Sequence, residues 1–460
     1  MTPGQEPARE RSERRYSAVI RCLQVLGIGV AVIGVVLARP ARPVQAHSAD
    51  ATFAEDVAPI LYKNCTMCHR PDGAGPFPLF EFDSAKAYTH EMRERVSAGE
   101  MPPWHAVGPR GVFRNDRRLS DSDKNTIIRW IDGGAKSGDL KKLPQRPTYP
   151  STWSIGVPDV TLSMAKEFEV PAKGTIDYQR FEVPTNFTED KWIQAYEIMP
   201  GTREVVHHVQ VYAKAPPALP GTPAIKSALF RSDVFEPLPP PRPRTLLTFF
   251  QPEPPSRGTL IASMAPGTNA VEFPPGTAML VRAGTVLTFT MHYTAKGHVM
   301  KDRTTLGFRF AKRPPDEEIY ASQFTNTVFT IPAGAGDVQV PSEVGAKEPI
   351  RVWGLLPHTH LRGTAWRYKL EKRDGTSEVI LDVPNYDFNW QTYYLFTKPL
   401  EVPTGARITA VAWYDNSTKN EDNPDPRKDV RHGEQTWEEM QYTGFLYSVP
   451  SRTREKAARR

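Results

Sequence analysis

Val205-Val206-His207-His208-Val209-Gln210-Val211-Tyr212 decides how the larger part of this chain is read. It is a short strand-like run and one of a series: Trp192–Ile198, Thr285–Thr294, Thr305–Phe310, Val352–Leu355, Trp366–Leu370 and Ile408–Trp413 read the same way. Turn residues bound most of these runs, and the helical period fades beyond Pro158, the pattern of a β-sandwich region. Composition agrees. Proline is high, at 45 of 460 residues, and glycine ordinary at 31, which favours strands joined by irregular loops over helical bundles. Arg313-Pro314-Pro315-Asp316 divides the region into two sandwiches, residues 158–312 and 313–450. The stretch from Pro216 to Pro255, with Pro239-Pro240-Pro241, reads as an irregular excursion rather than a partner-binding polyproline site.

Five of the 11 histidines lie in or beside these runs. His207 and His208 are adjacent, His292 sits in Thr290-Met291-His292-Tyr293, and His358 and His360 flank Thr359. Met440 follows in Trp437-Glu438-Glu439-Met440. His358 and His360 are two apart, so on a strand they share one face and both reach one ion. His207 and His208 face opposite ways on a regular strand and converge only at a strand end or a bulge. Imidazole suits copper, and a thioether favours its reduced state. Three imidazoles at one site, and two with a thioether at another, therefore suit copper cycling between two oxidation states. Each piece alone has an ordinary structural reading as core or surface; their joint order singles them out. His432, near Met440, reads as a core or surface histidine, with a metal-supporting role as the alternative, and Glu438 and Glu439 are left open between tuning a metal and ending a strand.

Cysteine usage is the second sharp signal. There are three: Cys22, then Cys65 and Cys68 in Cys65-Thr66-Met67-Cys68-His69. C-x-x-C-H is the attachment pattern of c-type haem. Two thiols one helical turn apart reach both vinyl groups of a porphyrin, and the adjacent histidine lies under the iron. A zinc site would need more soft ligands than remain. A helix over Ala54–Tyr62 leads into the motif, and a second starts at Ser120, where Ser120-x-x-Asp123 reads as a capping box and Gly133-Gly134 as the stop. Met101, in Gly99-Glu100-Met101-Pro102-Pro103-Trp104, is the expected sixth ligand, with Met92, His90 and His105 as alternatives. Over roughly residues 50–140 this segment resembles a small class I cytochrome c domain, and the resemblance implies that its first and last helices pack together over the haem. Residues 141–157 read as a linker.

Residues 1–46 read as a signal peptide or membrane anchor: arginines up to Arg21, an apolar run Leu23–Ala38, then Val44-Gln45-Ala46 as a cleavage site. An exported, periplasmic protein is expected, with membrane attachment only if the leader stays uncleaved. That leader carries seven arginines against three glutamates, so of the formal +6 the remaining 51 basic and 49 acidic side chains contribute +2. A near-neutral body gives no argument for nucleic acid. Residues 451–460 form a basic tail.

The order of the six strand-borne ligands resembles the copper type II, ascorbate-dependent monooxygenases, the family of peptidylglycine α-hydroxylating and dopamine β-monooxygenases, over about residues 158–450. The resemblance implies two linked β-sandwich halves, each carrying one copper. His207, His208 and His292 match the ligands of the copper that receives electrons. His358, His360 and Met440 match those of the copper that binds and activates O2. Two departures stand out. The animal enzymes carry several disulfides, and this body has no cysteines beyond the haem pair. The arginine and tyrosine with which the amidating enzyme holds a peptide are here Leu356 and Gly444, so the resemblance extends to the metal chemistry and not to that substrate. The expected architecture is multidomain: a small all-α cytochrome c domain followed by two all-β, jelly-roll-like sandwiches. The expected function is hydroxylation of a C–H bond of a small organic substrate with O2. It needs two copper ions and one covalent haem c as electron donor, with ascorbate, another external reductant or a redox partner protein as further sources. The alternative is a non-catalytic periplasmic electron-transfer or copper-binding protein.

Overall fold

The computed structural model describes residues 51–149 apart from 72 and 74, then 153–214, 235, 258–265 and 270–451. The leader expected over 1–46, the proline-rich excursion apart from Phe235, and residues 452–460 of the tail lie outside the described residues. Among the described residues no helix is long and apolar enough to cross a membrane.

Strands dominate. A nine-stranded sheet runs from Val160–Ser163 through Thr305–Phe310, Lys191–Met199, Thr277–Val281, Glu317–Asn326, Gln441–Pro450 and Ile350–His358 to Tyr394–Val402, with Ala270–Glu272 as a side branch. Its neighbours are antiparallel except at one place: Thr277–Val281 runs parallel to Glu317–Asn326, with Glu317 opposite Thr277. That pair joins the two halves into one continuous sheet, just after Arg313-Pro314-Pro315-Asp316.

Each half adds a four-stranded sheet. In the first half it is Gln179–Pro184, Val286–Tyr293, Val206–Lys214 and Thr259–Met264; in the second it is Val338–Gly345, Arg407–Tyr414, Gly363–Glu371 and Ser377–Val383. Alternate side chains of each face inward, so two separate cores form. Val211, Phe289, Met291, Leu306 and Ile198 lie in one. Trp366, Tyr368, Phe445, Tyr447 and Tyr414 lie in the other. Every strand-like run named from sequence is a strand, with bounds moved by a few residues.

The helices precede the sheets. Phe53–Val57 is a π-helical turn continuing into Ala58–Asn64, and Phe82–Ala87, Thr89–Ala98 and Asp121–Asp132 follow. Ser120 caps the last of these, its hydroxyl accepting from the Asp123 N–H at 3.0 Å. Phe53 and Trp130, both fully buried, bring the first and last helices together with ring centroids 5.9 Å apart. This segment is not closed on itself. An arm over residues 104–115 leaves it and lies along the sheet edge at 393–397. Arg114 N–H donates to Leu395 O at 2.8 Å, Thr397 N–H to Val112 O at 2.9 Å, and Phe113 bridges Phe396. Trp104 and Phe113 of the arm are buried in the second sandwich's core. The stretch expected as a linker also packs: the Tyr149 hydroxyl is 2.8 Å from that of Thr66.

Candidate metal centre

The first-half histidines sit on two paired strands. Val206–Lys214 and Val286–Tyr293 place His208 opposite His292, and the register slips between Val206 and His208. That bulge is what the adjacent pair needs. It turns His207 onto the side of the sheet that His208 already faces. The Nδ1 atoms of the two are 3.2 Å apart. Two imidazole nitrogens bound to one tetrahedral ion at about 2.0 Å lie ~3.3 Å from each other, so this spacing fits a shared metal. His292 completes the set: one ligand atom from each of the three lies within 4.8 Å of the others. Its Nδ1 is buried with no hydrogen-bond partner, a donor atom turned inward and left for an ion.

Tyr178 stands behind this cluster. Its hydroxyl is 3.0 Å from His208 Nε2, and its ring stacks on His292 at 5.1 Å. With Nδ1 of His208 free to ligate, Nε2 carries the proton and donates it to the Tyr178 oxygen. Replacing Tyr178 with phenylalanine keeps the stack and removes the acceptor; metal affinity at this site should fall by about 10–100-fold. Titration of the variant with Cu(II) against a competing chelator checks it, and an unchanged affinity would show that the hydroxyl does not orient the ligand.

The second-half histidines lie where Ile350–His358 runs out beside Gln441–Pro450. Leu356 faces Gly444 and His358 faces Tyr442 in register, and the pairing ends there, with Met440 lying just before the strand Gln441–Pro450. The rings of His358 and His360 come together with centroids 5.2 Å apart, and the Tyr414 hydroxyl donates to the Met440 carbonyl at 2.9 Å. His358 Nδ1 is 2.8 Å from Gln391 Oε1, and His360 Nδ1 is 3.2 Å from the Glu438 carbonyl. Both contacts leave Nε2 as the ligand atom. The turn between them is tied down by Glu439. Its carboxylate accepts from the His360 N–H at 2.9 Å and the Arg362 N–H at 2.7 Å. His432 bridges Glu439 through the backbone, and its Nδ1 is buried without a partner.

The two sets of histidines are neighbours. Ring centroids of His208 and His358 are 6.4 Å apart, and Phe388 stacks on His207 at 5.0 Å while reaching His360 at 6.2 Å. Five imidazoles from both halves thus form one cluster. Beside it opens a cavity of about 560 Å³, lined by Lys173, Ile176, His207 and His292 from one half and Leu361 and Phe388 from the other. Sequence reasoning missed Tyr178, Phe388 and Gln391. Only pairing across the fold brings them here, and no local pattern marks them.

Burial pushes the imidazoles of His207, His292 and His358 down to about 4, and those of His208 and His360 well below the ordinary 6.5. Neutral imidazole is the form that binds metal. In metal-free protein these groups stay neutral where the unfolded chain's histidines take up protons. Between about pH 6.5 and pH 4 the unfolded state therefore binds more protons, and stability is lost as pH falls through that window. The Tm of apo-protein should drop steadily from pH 7 to pH 4, whereas a flat profile would mean that the cluster is open to water.

The C-x-x-C-H motif follows the first helix. Neither thiol is in a disulfide, and burial, with Cys68 close by, pushes the Cys65 thiol up to about 12. His69 Nδ1 is 3.1 Å from the Phe77 carbonyl, which leaves Nε2 free for an iron. Gly75 lies so close to the His69 ring that a Cβ there would sit 2.8 Å from it. Of the methionines and histidines considered opposite His69, Met92 is buried in the helical core, His90 is exposed beside Glu94, and His105 adjoins Trp104 in the arm. Met101 is half-buried, with its N–H held by the Arg95 carbonyl at 3.2 Å.

No protein-family model matches this chain, and no curated protein matches it. Solved structures give faint likenesses. The major capsid protein P2 of bacteriophage PM2 is 8% identical with a TM-score of 0.26, over 64% of this chain and 98% of that one. A Paenibacillus xanthan lyase is 10% identical with a TM-score of 0.17, over 67% of this chain and 28% of its own. The coconut allergen cocosin is 9% identical with a TM-score of 0.13, over 64% and 85%. Likeness at this level carries no argument about fold or function.

Proposed function

We propose that this protein is an exported copper-dependent monooxygenase of the kind its ligand order resembles. It would carry one covalent haem c and hydroxylate a C–H bond of a small organic substrate with O2. The observation that carries the reading is the convergence of five imidazoles, from strands of two sandwich halves, into one buried cluster. Copper cycling between two oxidation states supplies the one-electron chemistry for O2 and C–H bonds.

The chain's own residues would divide the work. His207, His208 and His292 hold one ion through inward-facing nitrogens. His358 and His360 would hold the other, with Met440 as the proposed soft ligand. Phe388 lies against His207 and near His360, and lines the cavity beside them. The cavity beside His207 and His292 has the size of a small-molecule site and a mixed lining. Leu356 and Gly444 face each other across the strands, and a side chain at 444 would press on Leu356. That pair offers no charge to a substrate carboxylate, which supports a substrate other than a peptide terminus. In the helical segment Cys65, Cys68, His69 and Met101 would hold the haem, which would supply one-electron redox chemistry.

Metal and haem analysis of the purified mature protein tests the reading first, with about two copper ions and one haem expected per chain. Oxygen uptake driven by ascorbate, with a panel of small organic compounds, tests it second. At least one compound should accelerate uptake, and Met440→Ala should abolish the acceleration while leaving haem content unchanged. A protein that binds copper yet shows no substrate-dependent uptake, before or after the substitution, is an electron carrier instead.

A further inference from the structure

We propose that the cavity beside His207 and His292 binds a small organic anion, its charge held by Lys173 and Lys296 and its carbon body against Ile176, Leu361 and Phe388. This deepens the monooxygenase reading and rests on it for what the bound anion does there, as substrate or as reductant.

The charge comes from two loops of the first half. Phe168–Val170 pairs antiparallel with Met300–Asp302, and beyond that pair the two segments stay tied, the Gly297 N–H donating to the Ala172 carbonyl at 2.9 Å. Lys173 follows one of these residues and Lys296 precedes the other. Lys173 lines the cavity, as do Ala295 and Gly297 on either side of Lys296. The Lys296 ammonium bears electrostatically on His207, itself part of the cavity wall. Both lysines are exposed, and neither is in an ion pair among the described residues. Like charges on joined loops without a counterion repel each other, and a bound anion removes that cost.

The remaining walls add no negative charge. Among the described residues that line the cavity there is no carboxylate. Glu434, next to the lining Gln435, is paired with Arg180 of the first half at 3.7 Å. A cation would therefore be repelled here. Ile176 is buried, and Leu361 and Phe388 are partly buried, so they give a carbon skeleton an apolar surface. A volume of about 560 Å³ admits one ring or a short chain. A guest against Phe388 lies beside ligands of both metal sites, since that ring meets His207 at 5.0 Å and His360 at 6.2 Å. Leu356 and Gly444 offer an anion no charge in the second half, and the first half supplies it instead.

The test uses the full-length chain as purified, with its metal and haem content measured alongside. Benzoate and hexanoate are the probes, benzamide and hexanamide their neutral counterparts, and calorimetry reads binding. At low ionic strength at least one acid should bind about tenfold more tightly than its amide, and the difference should shrink in about 0.5 M salt. Lys173→Met together with Lys296→Met should weaken the acid about tenfold, leaving the amide and the copper content unchanged. Arginine at both positions should keep most of the affinity. Lys369→Met, which removes an exposed lysine on Gly363–Glu371 outside the cavity lining, should change nothing.

Oxygen uptake driven by ascorbate separates the two sources. If the site serves the reductant, the acid and the double methionine variant each raise the ascorbate concentration needed for half-maximal rate. If it serves the substrate, that concentration stays put, carboxylates accelerate uptake, and the variant loses the acceleration. Either result upholds the anion site. Equal binding of acids and amides, binding of neither, or acid binding unmoved in the double methionine variant would overturn the inference and leave the monooxygenase reading intact. A protein without copper that still binds the acid through its lysines would overturn that reading and leave the anion site standing.

Discussion

Glu439→Ala should empty the second metal site and cost the protein about 3–5 kcal/mol, while the first site keeps its metal. Glu439 is fully buried, and its carboxylate accepts from three backbone N–H groups: His360 at 2.9 Å, Arg362 at 2.7 Å and Met440 at 3.2 Å. Burial pushes its pKa up to about 7 against the pull of those donors and the charge of Arg362. Arg362 itself is 2% exposed, with its guanidinium spent on Asn416 Oδ1 and the Trp437 carbonyl. Removing the carboxylate strands three buried N–H groups at about 1–3 kcal/mol each, partly relieved by water entering the hole. It also unties the turn carrying His360 from the segment carrying Met440. Glu439→Gln keeps one acceptor oxygen and should fall between the two. Urea unfolding and metal analysis read both effects. An alanine variant with native stability and full metal content would show that the strands alone position the ligands.

Glu439 also marks where sequence reasoning stops. The five histidines that the structure gathers were legible because each carries its chemistry in its own side chain. The bulge at His207 followed from adjacency, since strand alternation gives no other way for two neighbours to meet. A carboxylate whose work is to hold the backbone of residues 77 and 79 positions away has no such mark. Strands were legible in proportion to their alternation. Arg407–Tyr414 alternates strictly and was read directly. Gln441–Pro450 and Glu317–Asn326, the two long central strands, were not. Both faces of Gln441–Pro450 are buried, and it includes Gln441, Thr443 and Gly444, so it shows neither alternation nor a clean apolar run. The arm was invisible for a related reason. Residues 104–115 belong to the helical segment in sequence but fill the second core with Trp104 and Phe113, and their partners Tyr394 and Phe396 lie some 280 residues on, a distance like the one between Asn115 and Leu395.

The second large effect is magnetic. With both sites filled by Cu(II), the EPR signal should not be that of two isolated ions. His208 is the reason. Its ring lies 4.8 Å from that of His292 and 5.4 Å from that of His207, and it also lies 6.4 Å from that of His358, a ligand of the other site. Adjacent ligand rings keep two bound ions within reach of each other's dipolar field. The spectrum should broaden, show a half-field transition and integrate to fewer spins than the copper present. His208→Ala should recover a narrow signal from a single ion at His358 and His360, and chemical analysis should show the copper content falling by about half. The same closeness gives the two sites a functional meaning. Under the proposed reading, electrons would pass between the halves without crossing open solvent, since Phe388 lies against His207 on one side and near His360 on the other. Two full, unbroadened Cu(II) signals in the loaded protein would mean that the halves stand apart in solution and that the five-imidazole cluster does not hold both ions at once.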